Sequence, residues 1–203
     1  MLWTDREFTD HDFRDEDLGG LQTERVVFDG CHFGGVNLSE SEHRGSAFRN
    51  CRFDRTTLWH STFRGCSLMG SVFTNCRWRP VLLDEVDLTL AVLGGADLRG
   101  VDLSGCRLRE ASLVEADLRR AVLRDADLTG ARTVGARFED ADLRGARVDP
   151  TFWTTARTRG AKVDLGQAVA FAAAVFPAAR PKPGKVGLMF SAGALIQSPF
   201  VAS

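Results

Sequence analysis

The side chains with the widest chemical range in this 203-residue chain are five cysteines, at 31, 51, 66, 76 and 106, and four histidines, at 11, 32, 43 and 60. An odd set of thiols with imidazoles could hold a metal or cycle redox states. Their spacing points elsewhere. No C-x-x-C occurs, no His spacing fits a metal or catalytic motif, and all five cysteines share one position of a five-residue register. Neither G-x-S-x-G, a phosphate-cradling Gly loop nor a pair of catalytic carboxylates is found, so the chain is read as a non-enzyme with no catalytic residue, metal or cofactor.

The register itself is the dominant feature. From Trp3 to Trp153 every fifth residue is Leu, Phe, Trp or Val at 28 of 31 positions, the exceptions being Thr23, His43 and Thr133. Two residues before each, from Val26 to Ala161, the side chain is small, as in Ala96-Asp97-Leu98-Arg99-Gly100. Helical faces recur at about 3.6 residues and strand faces at 2; a sustained period of five means a repeat architecture. Two inward residues flank one outward residue, which is a three-residue strand, and the remaining two positions suit a turn. Four such corners close a square coil of 20 residues, with the next coil about 4.8 Å above.

These residues resemble the pentapeptide-repeat family, whose unit is A(D/N)LXX. The resemblance implies an all-β solenoid, a right-handed quadrilateral β-helix, here of about eight coils with a short C-terminal α-helix. The stretches Arg44 to Cys51, Thr57 to Phe63, Ala91 to Gly95 and Gln167 to Ala174 are similar to the mycobacterial fluoroquinolone-resistance members of that family. That likeness implies a dimeric rod that mimics DNA, binds DNA gyrase and protects it from quinolones.

The register also makes predictions. Cys31 and Cys51 stack one coil apart with parallel side chains, too far for a disulfide, so the cysteines are expected to be reduced core fillers. Thr23 and His43, also 20 apart, should form a polar pair inside the stack. Arg6, His11 and Glu16 occupy the small position in the first coil, which suits an end open to water and protects the strand edge. Pro80 marks a plausible kink where the Phe-rich half gives way to the Leu-rich half.

Three segments are expected: a β-helix over 1–163, a dimerisation helix over 164–176 and a linker with an unassigned tail over 177–203. Asp164-Leu165-Gly166-Gln167 reads as a capping box, and the run to Phe176 is apolar on all sides. Leu165, Ala168, Val169, Phe171, Ala172, Val175 and Phe176 are therefore the predicted homodimer interface. The N-terminus lacks a signal-peptide pattern and no apolar run reaches a membrane span, so a cytoplasmic protein without a membrane partner is expected.

Acids outnumber bases 26 to 20 in residues 1–150, whereas residues 151–203 hold one acid and six bases. Sorted by side, the two centred on Leu83 and Leu88 carry net charges of −3 and −2, and the other two 0 and +1. Asp84, Glu85, Asp87, Asp102, Asp125, Asp127 and Asp142 form the predicted acidic partner face. The side holding Arg79, Arg99 and Arg119 interleaves Asp97 and Asp117 and reads as an ion-pair ladder. Periodicity alone supports a scaffold for some protein partner; direct nucleic-acid binding is not expected from the near-neutral charge.

Overall fold

The computed structural model describes residues 1–176; the predicted linker and tail over 177–203 lie outside the described residues. Ten three-residue strands, β1 (Leu2–Thr4), β2 (Glu7–Thr9), β3 (Gln22–Glu24), β4 (Val27–Asp29), β5 (Glu42–Arg44), β6 (Ala47–Arg49), β7 (Arg52–Asp54), β8 (Thr62–Arg64), β9 (Val72–Thr74) and β10 (Leu82–Asp84), are followed by α1 (Phe152–Thr155) and α2 (Leu165–Val175). All strand pairing is parallel and offset by 20 residues, as in Trp3↔Thr23, Phe28↔Phe48 and Phe53↔Phe73. On one side the rungs are Leu2, Gln22, Glu42, Thr62 and Leu82, then Asp102, Val122, Asp142 and Lys162. At about 4.8 Å per coil the rod is roughly 40 Å long.

The core is the register turned inward. Phe28, Phe33, Phe48, Phe53 and Phe63 are buried in the first half and Leu88 to Leu128 in the second. Phe28 stacks on Phe48 at 4.6 Å and Phe53 on Phe73 at 4.6 Å, face to face up the rod. The fifth residue of the unit is left-handed, which Asp, Glu, Asn and Arg tolerate at many corners. At Gly145 a Cβ would in addition press on the exposed Asp125 carboxylate from the coil below.

Two kinds of corner explain the change in composition along the chain. In the Leu-rich half each turn closes with an N–H to the central carbonyl three residues back, as in Ala111 to Leu108 (3.2 Å) and Ala126 to Leu123 (3.2 Å). The ten strand corners lack that turn bond; their central carbonyls accept ladder N–H groups where a further strand pairs above, and at six of them a side chain of the next coil points at the same oxygen. Cys31, Cys51, Cys66, Cys76 and Cys106 point their thiols at the carbonyls of Phe8, Phe28, His43, Phe53 and Leu83, and Ser71 Oγ donates to Phe48 O at 2.7 Å. All five cysteines are free, four of them buried and Cys76 half-buried, and burial pushes the Cys66, Cys76 and Cys106 thiols up to about 11.

The register's three exceptions are satisfied internally. Ser41 Oγ donates to Leu38 O (2.7 Å), so it must accept from His43 Nε2 (2.9 Å); Nδ1 then accepts from Thr23 Oγ1 (2.8 Å), and Thr23 accepts from Ser46 (2.9 Å). The ring is neutral, and complete burial pushes its pKa down to about 3. Thr133 pairs with Thr155 at 2.9 Å. That contact exposes one departure from the expected coil: Trp153 continues the five-residue count but lies in α1, which replaces a corner of the coil. Pro150 fixes φ just before it and cannot donate to a ladder, and regular bridging resumes at Arg137↔Arg157 and Asp142↔Lys162.

Both ends are capped. Arg6, His11 and Glu16 are exposed in the first coil. At the other end α2 begins with the predicted capping box, in which Asp164 accepts from Gln167 N and Gln167 accepts from Asp164 N. Buried Gln167 also donates from Nε2 to Leu143 O (2.6 Å), which already accepts from Ala146 N, and to Ala146 O (2.7 Å). The ladder lapses once mid-rod, beside the cis Arg79–Pro80 peptide: bridges join Asp87↔Arg107 and Val92↔Ser112, but none joins Arg77 to Asp97 or Leu82 to Asp102.

Candidate functional site

Period-2 alternation places the residues before and after each central residue side by side on the rod's surface. In Asp-x-Arg this lets the arginine clamp its own aspartate. Asp97 is held by Arg99 (2.7 Å) and Arg79 (2.6 Å), and Asp117 by Arg119 (2.6 Å), confirming the expected ion-pair ladder on that side. In Asp-x-Ser and Asp-x-Thr the second residue is uncharged. Ser104 donates to Asp102 through N–H (2.9 Å) and hydroxyl (2.6 Å), leaving its negative charge uncompensated.

The seven predicted acidic residues divide accordingly. Asp84, Glu85, Asp102 and Asp125 are exposed, with only a long 3.9 Å approach of Arg64 to Asp84. Asp87 is half-buried, bonded by Thr89 N (2.9 Å) and approached by Arg107 at 3.8 Å. Asp142 is withdrawn between Arg144 (2.6 Å) and Arg124 (2.7 Å), and the Arg144 hydrogen bonds first, then Arg124, hold its carboxyl well below the usual carboxylate range. Asp127 is equally withdrawn; desolvation raises its pKa, but Thr129 hydrogen bonds and the arginines at 147 (3.4 Å) and 109 (3.9 Å) more than offset it. The side totals already count these arginines; choosing acids from a side without their neighbours misses the pairing, although the Asp142-Leu143-Arg144 tripeptide signals it.

Sorting by side misses a zoning along the axis. Residues 1–40, the first two coils, carry ten acids against three bases, and residues 41–80 carry two acids against seven bases.

Six of the seven predicted interface residues on α2 are among its open positions together with the cap Phe176: Leu165 is 83% exposed, Val169 63% and Phe176 74%, while Gln167 and Ala174 face the coil. Phe171 is partly engaged by its own chain, edge-on to Trp153 at 5.8 Å. Among the described residues no group of three or more His, Cys, Asp or Glu could hold a metal, and no helix is long and apolar enough to cross a membrane.

Comparison with known proteins agrees with this architecture. Models described as pentapeptide repeats match residues 28–71, 66–105, 87–125 and 121–149. The pentapeptide repeat protein MfpA of Mycobacterium tuberculosis is 70% identical over 91 residues, 45% of this chain and 50% of that protein. MfpA of Mycolicibacterium smegmatis is 70% identical over 60 residues, 30% of this chain and 31% of that protein. The chain thus matches half or less of the length of these relatives. Among solved structures, QnrB1, a plasmid-mediated fluoroquinolone resistance protein, superposes with a TM-score of 0.67 at 17% identity, covering 87% of this chain and all of that one. HetL from the cyanobacterium Nostoc superposes with a TM-score of 0.56 at 21% identity, covering 80% and 86%. Residue register, coil geometry and sequence matches together place the chain in the pentapeptide-repeat family.

Proposed function

We propose that this protein is a cytoplasmic DNA mimic that binds DNA gyrase, competes with DNA for it and protects it from fluoroquinolones. The observation carrying this reading is a rigid rod with uncompensated carboxylates, Asp84, Glu85, Asp102 and Asp125, on adjoining sides and an acidic first coil pair. Coil spacing of about 4.8 Å places such charges at intervals comparable to backbone phosphates. The 70% identity to MfpA over 91 residues supports the same reading, as does the fluoroquinolone-resistance role in QnrB1's name, given the shared fold.

A homodimer through α2 belongs to this proposal. A helix apolar on all sides needs more cover than one solenoid end supplies, and a two-fold contact doubles the rod to about 80 Å. Binding is electrostatic and weakens with salt. In a supercoiling assay with purified gyrase, the full chain is expected to inhibit supercoiling and reduce quinolone-dependent cleavage, with both effects fading as salt rises. No effect on either activity at low salt would sink the proposal.

A further inference from the structure

The ladder lapse beside Pro80 opens a cleft that the acidic surface does not use. Pro80 has no N–H to donate to Arg99 O, as the equivalent residue of the coil above, Gly100, donates to Arg119 O (2.9 Å). Arg79 reaches across instead, donating to Arg99 O (3.4 Å) and Asp97 (2.6 Å). Below this strut lies a cleft of about 470 Å³ lined by Ser39, Thr57, Trp59, Arg77, Trp78 and Asp97, among others.

Two features of its wall stand open to a ligand: the Trp59 indole, which meets only the steeply inclined His60 ring at 4.1 Å, and the Arg77 guanidinium. Trp59 is 45% exposed, whereas Trp78 and Trp153 are buried. Arg77 is exposed and, unlike Arg79 and Arg99, forms no ion pair among the described residues. An exposed indole offers a flat apolar face, and a free guanidinium offers a planar fork that matches a carboxylate. Asp97, already clamped by two arginines, adds little opposing charge.

We infer that this cleft binds a planar aromatic carboxylate, its ring against Trp59 and its carboxylate on Arg77. The inference is independent of gyrase binding, because the cleft has the wrong charge for a surface built to hold DNA. The test is a fluorescence titration of the full chain with naphthoate, read as quenching of tryptophan emission and checked by equilibrium dialysis. For a ligand of this size saturable binding is expected, with Kd on the order of 10⁻⁴ M. The neutral analogue naphthalenemethanol should bind at least about tenfold more weakly, since it lacks the charge-assisted pair. Arg77→Gln should lose about the same factor and Trp59→Leu should abolish saturation, both with unchanged circular dichroism because the two side chains are exposed. Failure of naphthoate to saturate by dialysis, or affinity indifferent to Arg77→Gln, would overturn the assignment.

Discussion

At the residue scale, the informative positions are those that break the hydrophobic register. His43 occupies a site where Phe63 lies above it at 4.6 Å, tilted by 30°, and Phe48 meets it edge-on at 5.0 Å; burial keeps it neutral and hydroxyls satisfy both ring nitrogens. Its folded pKa, about 3, lies below the ordinary value of 6.5. The sign follows directly: the unfolded chain takes up a proton first, so this contribution is intact above pH 6.5 and is lost as pH falls toward 3. About 2 kcal/mol should disappear between pH 7 and pH 5. The double variant Thr23→Val/His43→Phe replaces both polar partners with apolar ones and should flatten that window in urea-denaturation curves, whereas a wild-type slope in the double variant would contradict the assignment. A second residue-scale prediction separates backbone strain from collision. Gly105 has φ +67 with nothing near its absent Cβ, while Gly145, at φ +75, would press on Asp125. Gly105→Ala should cost about 1 kcal/mol and Gly145→Ala about 2 kcal/mol or more, with the excess removed in Gly145→Ala/Asp125→Ala; equal costs would mean that Asp125 simply swings aside.

At the element scale, what the sequence discloses depends on whether a structural job falls to one residue type or to a partner coil. The 20-residue closure and the pairing of Thr23 with His43 follow from counting, because every coil repeats the same inward positions. The capping box is equally legible, and α2 starts at Leu165 directly after its Asp164 cap. α1 was hidden because Trp153 keeps the count while Thr151 and Thr155 bond helically. The role of the thiols was hidden for a different reason: their acceptors lie 23 residues away and depend on which corners lack a turn bond. α2 supplies the prediction at this scale. Gln167 pins the helix to the last coil and Val169 faces away from it. Gln167→Leu leaves the Ala146 carbonyl unmet and strips the second bond from Leu143 O, and should destabilise by about 1–3 kcal/mol. Val169→Asp should leave thermal stability of the coil near wild type while converting a dimer to a monomer in multi-angle light scattering. A Val169→Asp protein that remained dimeric at micromolar concentration would remove α2 from the interface.

At the scale of the whole molecule, charge distribution decides what the rod can imitate. The count of carboxylates overstates its negative field, because Asp-x-Arg units cancel themselves in place while Asp-x-Ser units do not. This gives two matched sets with opposite expected phenotypes. Asp84→Asn, Glu85→Gln, Asp102→Asn and Asp125→Asn, combined, remove exposed charges with few or distant partners. Asp127→Asn and Asp142→Asn remove withdrawn charges that organise four arginines: 109, 147, 124 and 144. The first set should leave urea stability within about 1 kcal/mol of wild type and weaken gyrase inhibition at least about tenfold, mostly through a slower association rate that rising salt already suppresses. The second set should act in the reverse order, lowering stability by about 1–3 kcal/mol through the lost charge-assisted hydrogen bonds of the two withdrawn carboxylates while inhibition at low temperature changes little. If the buried pair controlled gyrase inhibition and the exposed four did not, long-range field could not be the binding force, and the rod would be recognised by shape and specific contacts instead.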